Sequence, residues 1–305
     1  MGCGYVGLPL GKELARQGHQ VFGLRRSWLV EAELLAAGIT PLHADLTQPE
    51  TLARLPRQYD WVVNCTASGG GGAEDYRKIY LEGNRNLLNW LREAPPKKFI
   101  YTSSTSVYGQ NDGAVVTETS PTEPDADTAR VLVETEQLLL AAAQGSPGRW
   151  QPESASPASH PLFPAVILRV AGIYGPGRGY AFKQFLRGEA RLEGDGSRWL
   201  NMIHRDDLIG IIHAALDRGV AGEVYNAVDN EPVRQRDFYA WLAKALNQKL
   251  PPTVMTDENS WKKRGVTNKR VANAKLLAEL QYPFQFPNYR DGYAPELEKN
   301  LCRDH

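Results

Sequence analysis

Hydrophobic and polar residues alternate along the first half of the chain in a pattern typical of strands that are each followed by a helix. Short apolar runs predict strands over residues 19–24, 61–65, 98–102 and 165–170. Apolar residues at helical spacing predict helices over residues 8–17, 31–37, 75–92 and 129–143. This order predicts an α/β fold with a Rossmann-type, doubly wound parallel sheet that is covered by helices on both faces.

The pattern loosens beyond residue 170, where helices are predicted over residues 181–186, 206–216, 235–246 and 273–280. We therefore predict a dinucleotide-binding domain over residues 1–170 and a smaller, substrate-side domain over residues 171–305, with parts of 203–230 packing back on the sheet. Residues 144–164 are rich in Pro, Ser, Gly and Ala and lack periodicity, which predicts a surface-loop insertion.

Composition narrows the class of protein. The chain has 305 residues with 35 basic and 35 acidic side chains, and this balance argues against a nucleic-acid partner held through phosphate contacts. No apolar run approaches the roughly 20 residues that a membrane-spanning helix needs, so no membrane association is expected. Three scattered cysteines form neither a disulfide framework nor a zinc motif, which favours a reducing, cytoplasmic location and no bound metal. The sequence does not fix the oligomeric state, and a homodimer stays open.

The first candidate site is a glycine-rich turn at the start of the chain. Residues 2–7, GCGYVG, have GxGxxG spacing and directly precede a predicted helix. The first Gly permits a tight turn, the second lets the backbone approach a pyrophosphate, and the third lets the helix pack closely. We predict that Gly2, Gly4, Tyr5, Val6 and Gly7 bind a dinucleotide through backbone amides at the helix N-terminus. A purely structural turn before a helix has the same pattern.

A dinucleotide-binding fold has a strand before this turn, whereas the given sequence begins at Met1. Two interpretations are open. Either the natural start lies upstream, or the first central strand is absent and the middle of the sheet is open. The intact turn favours the upstream start.

The end of the next strand indicates which cofactor is bound. Arg25 and Arg26 follow Leu24 at a position where an acidic residue would hydrogen-bond the ribose hydroxyls of NAD. Arginines instead pair with the 2′-phosphate of NADP, so we predict NADP, with NAD as the alternative. A solvated charge pair at a strand end is the structural explanation of the same residues. Counted from the strand expected before the glycine turn, Asp45 and Leu46 follow the third strand of the fold, and they are predicted to line an adenine.

Together these segments resemble the extended short-chain dehydrogenase/reductase superfamily, and within it the NAD-dependent epimerase/dehydratase family. The matching segments run nearly end to end and comprise residues 2–7, 45–46, 101–109, 168–177, 203–208 and 224–226. The GCG turn is similar to that of an atypical, YeeZ-like subgroup. The resemblance implies the same fold and a nicotinamide dinucleotide cofactor.

The resemblance also implies a mechanism in which a Tyr, a Lys four residues later and a Ser or Thr act together. In the family the Tyr is the general acid/base, and the Lys lowers its pKa and holds the nicotinamide ribose. Ser104 matches the serine position, but Thr128 and Leu132 align with the Tyr and Lys. Residues 109–143 contain neither Tyr nor Lys, and a Thr hydroxyl has too high a pKa for acid–base work near neutrality. The chain departs from the family here, as the YeeZ-like subgroup does.

Other residues are therefore candidates for the site. We predict Ser104, Tyr174 and His204 as catalytic residues, because Ser104 fits the family position and His204 has a suitable unperturbed pKa. Tyr108 and Arg178 are predicted to contact substrate, and Arg178 would bind an anionic group. Packing explains Tyr108 and Tyr174 equally well, a backbone hydrogen bond explains His204, and an ion pair with a nearby Asp explains Arg178.

The sequence leaves two functions open. The first is an NAD(P)-binding oxidoreductase or epimerase/dehydratase-like enzyme of atypical mechanism that acts on a small carbonyl, hydroxyl or sugar-nucleotide-type substrate. The second is a catalytically silent NADP-binding sensor or scaffold, which the absent Tyr/Lys pair favours. The retained Ser104 favours the enzyme, as do the retained segments YGPG at residues 174–177 and DD at residues 206–207. A truncated, inactive product is a third interpretation, which follows from the missing strand.

Overall fold

A computed structural model describes residues 1–145, 162–255 and 267–301. The chain divides into two compact units. Unit 1 consists of Met1–Ser103, Asp127–Leu168 and Ile212–Val224, and unit 2 consists of Ser104–Ala126, Arg169–Ile211 and Tyr225–His305. One division, between Leu168 and Arg169, lies next to the domain boundary predicted at residue 170. Parts of the 203–230 segment belong to each unit.

Strands and helices alternate through the first half of the chain. The described strands are β1 (Val21–Arg25), β2 (Ile39–His43), β3 (Trp61–Asn64), β4 (Lys98–Ser104), β5 (Val115–Val116), β6 (Ala165–Val170), β7 (Gly172–Tyr174), β8 (Leu192–Glu193), β9 (Trp199–Leu200), β10 (Met202–His204), β11 (Val224–Ala227), β12 (Val233–Arg234), β13 (Thr253–Val254) and β14 (Arg270–Val271). The described α-helices are α1 (Gly7–Arg16), α2 (Glu31–Ala36), α3 (Pro49–Leu52), α4 (Ala73–Tyr76), α5 (Gly83–Leu91), α6 (Asp127–Gln144), α7 (Tyr180–Leu186), α8 (Arg205–Arg218), α9 (Gln235–Ala245) and α10 (Tyr289–Leu301), with π-helical turns at Arg77–Glu82 and Leu276–Leu280.

The central parallel sheet is interrupted in the middle. Strands β1 and β2 form one parallel pair, and a separate group has the order β11-β6-β4-β3. Met1 and Gly2 lie between β1 and β3. The Met1 ammonium donates to the Val63 carbonyl oxygen at 2.6 Å, the Cys65 amide donates to that of Met1 at 3.0 Å, and the Gly2 amide donates to that of Leu24 at 3.3 Å. These two residues therefore lie where a strand preceding Gly2 would end.

The core of unit 1 explains why its strands are visible in the sequence. All six residues of β6 are buried, and the core includes Leu88 of α5, Phe99 of β4 and Leu139 of α6. Parallel strands that are covered on both faces are built from nearly continuous apolar runs. The hydrophobic pattern therefore identifies these strands directly.

Unit 2 has its own apolar core, to which α7, α9 and α10 contribute aromatic residues such as Phe182, Phe238 and Tyr293. A Cβ atom on Gly292 would collide with the Tyr174 ring, so this glycine lets α10 pack directly on Tyr174. The short parallel pair β7 and β10 places Tyr174 opposite His204. The core thereby fixes two of the residues that the sequence analysis singles out.

The element boundaries differ from the predicted ones for local reasons. The helix predicted over residues 75–92 begins at Ala73 and contains a π-helical turn, and β4 continues to Ser104. Helix α10 was not predicted, because Gly292 and Pro295 lie inside it and both disfavour a helix. The insertion predicted at 144–164 lies almost entirely outside the described residues.

Two features are absent from the described residues. No helix in that part of the chain combines the length and the apolar character needed to cross a membrane. Nor does any group of three His, Cys, Asp or Glu side chains there lie close enough together to hold a metal ion.

Candidate functional site

The glycine turn of unit 1 is constrained at its two ends by contacts within the protein. Gly2 has a φ of +73°, and a Cβ atom there would lie 2.7 Å from the Cys65 carbonyl oxygen. A Cβ atom on Gly7 would lie 2.5 Å from the carbonyl oxygen of Gly2. Real Cβ atoms do not approach backbone this closely, so both positions require glycine on structural grounds.

Gly4 is different, because nothing in the protein requires a glycine there. Its φ is not in the left-handed region, and a Cβ atom would lie 3.5 Å from the Arg25 guanidinium and 4.0 Å from the Gly2 carbonyl oxygen, both ordinary contact distances. A phosphate that approaches the backbone closely would explain the missing side chain.

The start of α1 also suits an anion. Tyr5 and Val6 complete the turn, and the N-terminus of α1 has no side-chain cap and no acidic residue in its first turn. No side chain of the helix therefore competes with a phosphate for its first amides, and the helix dipole favours negative charge there.

The two arginines at the end of β1 have different environments. The Arg25 guanidinium donates a hydrogen bond to the Cys3 carbonyl oxygen at 2.8 Å, so it braces the glycine turn. Arg26 is exposed. Only one of the two side chains is therefore engaged with the turn itself.

Asp45 and Leu46 lie in the turn that follows β2. One carboxylate oxygen of Asp45 accepts hydrogen bonds from the amide and the hydroxyl of Thr47, both at 2.9 Å. Leu46 is buried, and its carbonyl oxygen accepts a hydrogen bond from the Asn86 side chain at 2.7 Å. These bonds give both residues a structural role, and their contact with an adenine stays a prediction.

Unit 2 encloses a cavity of about 860 Å³, which Ser104 and Tyr174 both line. The Ser104 hydroxyl oxygen accepts a hydrogen bond from the Ser106 amide at 3.2 Å. A hydroxyl that accepts one bond still has its own proton to donate. Ser104 can therefore donate a hydrogen bond to an oxygen atom of a molecule in the cavity.

Tyr174 and His204 lie side by side, with ring centroids 5.3 Å apart. The Tyr174 hydroxyl donates to the carbonyl oxygen of Asn288 at 3.3 Å, and burial raises the pKa of Tyr174 well above its usual range. His204 Nδ1 accepts a hydrogen bond from the Asp206 amide at 3.2 Å, at the start of α8. This bond requires an unprotonated Nδ1, and burial lowers the pKa of His204 although Asp206 opposes that shift. The 3.9 Å approach of His204 to the Asp206 carboxylate is therefore not an ion pair near neutrality.

Tyr108 belongs to a buried polar network. Its hydroxyl donates to Asn226 Oδ1 at 2.8 Å and accepts from Arg169 at 2.8 Å. The Arg169 guanidinium also lies 4.8 Å from the centre of the Tyr108 ring. Burial raises the pKa of Tyr108, and Arg169 opposes this shift. These contacts give Tyr108 a packing role within unit 2.

Arg178 and the residues aligned with the family's Tyr/Lys pair lie elsewhere. Arg178 is exposed on a tight loop that two backbone hydrogen bonds with Gly175 close. Thr128 lies in the first turn of α6 in unit 1, and Leu132 of the same helix is buried. The structure thus groups the cofactor candidates in unit 1 and places Ser104, Tyr174, His204, Tyr108 and Arg178 in unit 2.

Lys269 is a cavity residue that the sequence analysis missed. It is 3% exposed and lines the same cavity as Ser104. Its amine donates to the carbonyl oxygen of Tyr108 at 2.8 Å, and burial lowers the pKa of Lys269 to about 8. Lys269 directly precedes the two-residue strand β14 and belongs to no recognisable motif, so only the fold reveals its place in the cavity wall.

The parallel α/β sheet and the glycine turn before α1 define a fold of the Rossmann class, in which such turns commonly bind dinucleotides. Within that class, the sequence model of the NAD dependent epimerase/dehydratase family matches residues 2–227, and the chain belongs to this family.

Three similar proteins extend this result. Protein YeeZ of Escherichia coli K12 is 28% identical over 291 residues, which cover 93% of this chain and 95% of YeeZ. The 2-alkyl-3-oxoalkanoate reductase of Stenotrophomonas maltophilia is 25% identical over 261 residues, which cover 80% of this chain and 74% of the reductase. The structure of DesIV, a dTDP-glucose 4,6-dehydratase from Streptomyces venezuelae with NAD and TYD bound, superposes with a TM-score of 0.78 at 22% identity, over 97% of this chain and 94% of DesIV. That last likeness concerns the fold alone.

Proposed function

We propose that the protein is an NAD(P)-dependent oxidoreductase or epimerase/dehydratase-like enzyme whose acid–base chemistry does not use a Tyr/Lys pair. The observation that carries the proposal is Gly4. Packing explains the glycines at both ends of the turn, whereas Gly4 leaves open the surface that a pyrophosphate would occupy. Membership of the family supports the same cofactor class.

We propose NADP rather than NAD as the cofactor. A bound nicotinamide dinucleotide would supply the hydride-transfer chemistry of the reaction. The backbone amides of residues 2–7 would hold its pyrophosphate. Because Arg25 is hydrogen-bonded to the turn, exposed Arg26 is the side chain that would pair with a 2′-phosphate.

The substrate would bind in the cavity of unit 2, with Ser104 donating a hydrogen bond to its carbonyl or hydroxyl oxygen. The name of the Stenotrophomonas reductase describes a ketone as substrate, which supports a small carbonyl compound. A sugar-nucleotide-type substrate is the second class that we propose, since the family includes epimerases and dehydratases.

Tyr174, which lines the cavity, or His204 beside it would supply the proton for this reaction. Burial raises the pKa of Tyr174, so its phenol stays protonated near neutrality, is a weaker acid than an unperturbed tyrosine and cannot act as a base. His204 accepts at Nδ1, so its proton is carried by Nε2. In a Y174F/H204N double variant, the Phe keeps the ring packing and the Asn offers an oxygen to the Asp206 amide. Turnover should fall by about 100-fold or more, and unchanged turnover would exclude both residues.

The second candidate function is an NADP-binding sensor without turnover. Buried Leu132 at the family's Lys position favours it, because no cation there can lower the pKa of a neighbouring hydroxyl. The two functions share the cofactor site and differ only in chemistry.

Fluorescence titration with NADPH and NADH, followed by a turnover assay with a panel of ketones and aldehydes, separates these functions. Saturable NADPH binding with turnover supports the enzyme. Saturable binding without turnover supports the sensor. If neither NADPH nor NADH binds to the protein, the proposal is overturned.

A further inference from the structure

Lys269 is the buried cation of the unit 2 cavity. Its side chain is 3% exposed, yet it forms part of the cavity wall beside Asn201 and Thr267. The amine donates hydrogen bonds to the Tyr108 carbonyl oxygen, at 2.8 Å, and to the Thr267 hydroxyl. Both acceptors are neutral. An ammonium group has three donors, so one donor remains after these two bonds.

The other two basic residues in the cavity wall are already engaged. The Arg198 guanidinium lies 3.4 Å from the Glu193 carboxylate, so these two charges compensate each other. The Arg191 guanidinium donates to the carbonyl oxygens of Gly188 and Ala190, at 3.1 and 2.7 Å, and because Arg191 is exposed, water compensates its charge. Within the described part of the chain, no carboxylate lies within ion-pair distance of the Lys269 amine.

A buried ammonium without a counter-charge is unfavourable, because burial removes its hydration and no anion replaces it. This cost is visible in Lys269, whose pKa burial lowers to about 8. An anion in the cavity would remove most of this cost by pairing with the amine. At Lys269, therefore, the cavity wall carries a buried positive charge that no described carboxylate balances.

We propose that Lys269 binds a carboxylate group of the substrate in the unit 2 cavity. One uncompensated positive charge matches one negative charge, which a carboxylate carries near neutral pH. A phosphate carries more charge and is usually bound by several cations or amides. Because the Lys269 amine donates to the Tyr108 carbonyl oxygen, it contacts the end of the short helical turn that begins after Ser104. The substrate class that follows is an oxo or hydroxy carboxylic acid, and this assignment rests on the proposed function of the cavity.

Calorimetric titration of the full-length chain with sodium butyrate tests the proposal without cofactor or turnover. Sodium sulfate and 1-butanol serve as the phosphate-like and neutral probes. We expect saturable butyrate binding at pH 7, no binding of butanol, and weaker binding of sulfate. Above pH 8 the affinity for butyrate should fall by about tenfold per pH unit as the amine loses its proton. Tighter binding of sulfate than of butyrate would overturn the carboxylate assignment.

Substitutions locate the binding at Lys269. We expect Lys269→Met to weaken butyrate binding by about tenfold or more and to abolish its pH dependence. Lys269→Arg, which keeps the charge, should retain most of the affinity. The control Lys244→Met removes an exposed lysine of α9 and should change nothing. Equal butyrate affinity of the wild type and Lys269→Met would refute the proposal.

The pH dependence in the wild type tests the same claim if the Met variant is unstable, and its absence would also refute the proposal. NADPH binding by each variant is measured in parallel. NADPH binding without butyrate binding contradicts the role of Lys269 and leaves the cofactor proposal intact. If the wild-type protein does not bind NADPH, this result instead contradicts the proposed function.

Discussion

Gly7 lies so close to Gly2 that a Cβ atom on Gly7 would be 2.5 Å from the Gly2 carbonyl oxygen. The first turn of α1 therefore lies directly against the turn that precedes it. Between these two positions, Gly4 has ordinary space around it. This difference separates glycines that the fold needs from the one that a ligand would need, and it can be tested by substitution.

Gly4→Ala should weaken cofactor binding without unfolding the protein. Its Cβ atom fits, so the free energy of unfolding should change by less than about 1 kcal/mol, while NADPH affinity should fall by about tenfold or more. Gly7→Ala is the matched control and should lower the free energy of unfolding by about 1–3 kcal/mol. Thermal unfolding and NADPH fluorescence measure both effects. Unchanged NADPH affinity in Gly4→Ala would show that no phosphate approaches this position.

Arg25 and Arg26 should affect cofactor binding in different ways. Arg26→Ala should weaken NADPH by about tenfold or more and leave NADH unchanged, because it removes a charge-assisted bond to the 2′-phosphate. Arg25→Ala should weaken both cofactors, since Arg25 holds the Cys3 carbonyl oxygen in the turn. Arg54→Ala, at an exposed site of unit 1, is the control. Equal losses of NADPH and NADH affinity in Arg26→Ala would contradict the assignment to NADP.

The lowered pKa of Lys269 predicts a pH dependence of stability. Its pKa is about 8 in the folded protein and 10.5 when unperturbed, so between these values the unfolded chain binds the extra proton. The buried ammonium therefore destabilises the folded protein fully below pH 8. This cost decreases as the pH rises and is absent above pH 10.5. Relative to Lys269→Met, wild-type stability should rise by up to about 1.4 kcal/mol per pH unit over this window. Urea unfolding of both proteins at pH 7, 8, 9 and 10 measures the slope, and parallel profiles would contradict the prediction.

Two features of unit 1 predict that the chain gains stability from an apolar strand placed before Met1. Met1 already bonds Val63 on β3 and Cys65 just after that strand, and Gly2 bonds Leu24 on β1. Upstream of them, a cavity of about 590 Å³ lies between these strands, with Trp61 and Trp90 in its wall. An extension of four residues, the length of β3, should continue both ladders if its residues are Val and Ile.

We expect this extension to raise the free energy of unfolding by at least about 1 kcal/mol. The control is an extension of equal length made of Ser and Asp. Thermal unfolding gives the stability, and tryptophan fluorescence reports burial of Trp61, which is 38% exposed. Equal stability of the two extended chains would show that this cavity does not accept a strand.

The fold of unit 1 is well predicted from the sequence because each of its strands and helices is recognisable from a short stretch of residues. Strands such as β6 are buried on both faces and are therefore nearly continuous apolar runs, which Arg169 alone interrupts in β6. The glycine turn is likewise visible from its spacing, and the contact of Gly7 with Gly2 lies within that turn, although the requirement for Gly2 comes from distant Cys65. Helix α10 is not predicted from the sequence, because its position depends on the packing of Gly292 against Tyr174, a residue distant in the sequence.

The site of unit 2 is less predictable because its chemistry depends on long-range contacts. Ser104 and Tyr174 follow recognisable motifs, and both line the cavity. His204 also follows a motif, but its bond to the Asp206 amide and its burial are set by the fold. Lys269 meets Tyr108 across 161 residues, and no pattern in the sequence reports that contact.

The central claim is that the turn from Gly2 to Gly7 holds the pyrophosphate of a nicotinamide dinucleotide. A crystal structure of the protein with NADPH measures this directly. We predict pyrophosphate oxygens about 3 Å from backbone amides of the turn, with Gly4 in contact with the phosphates. A dinucleotide bound elsewhere, or a turn with its amides facing away from the phosphates, would contradict the account.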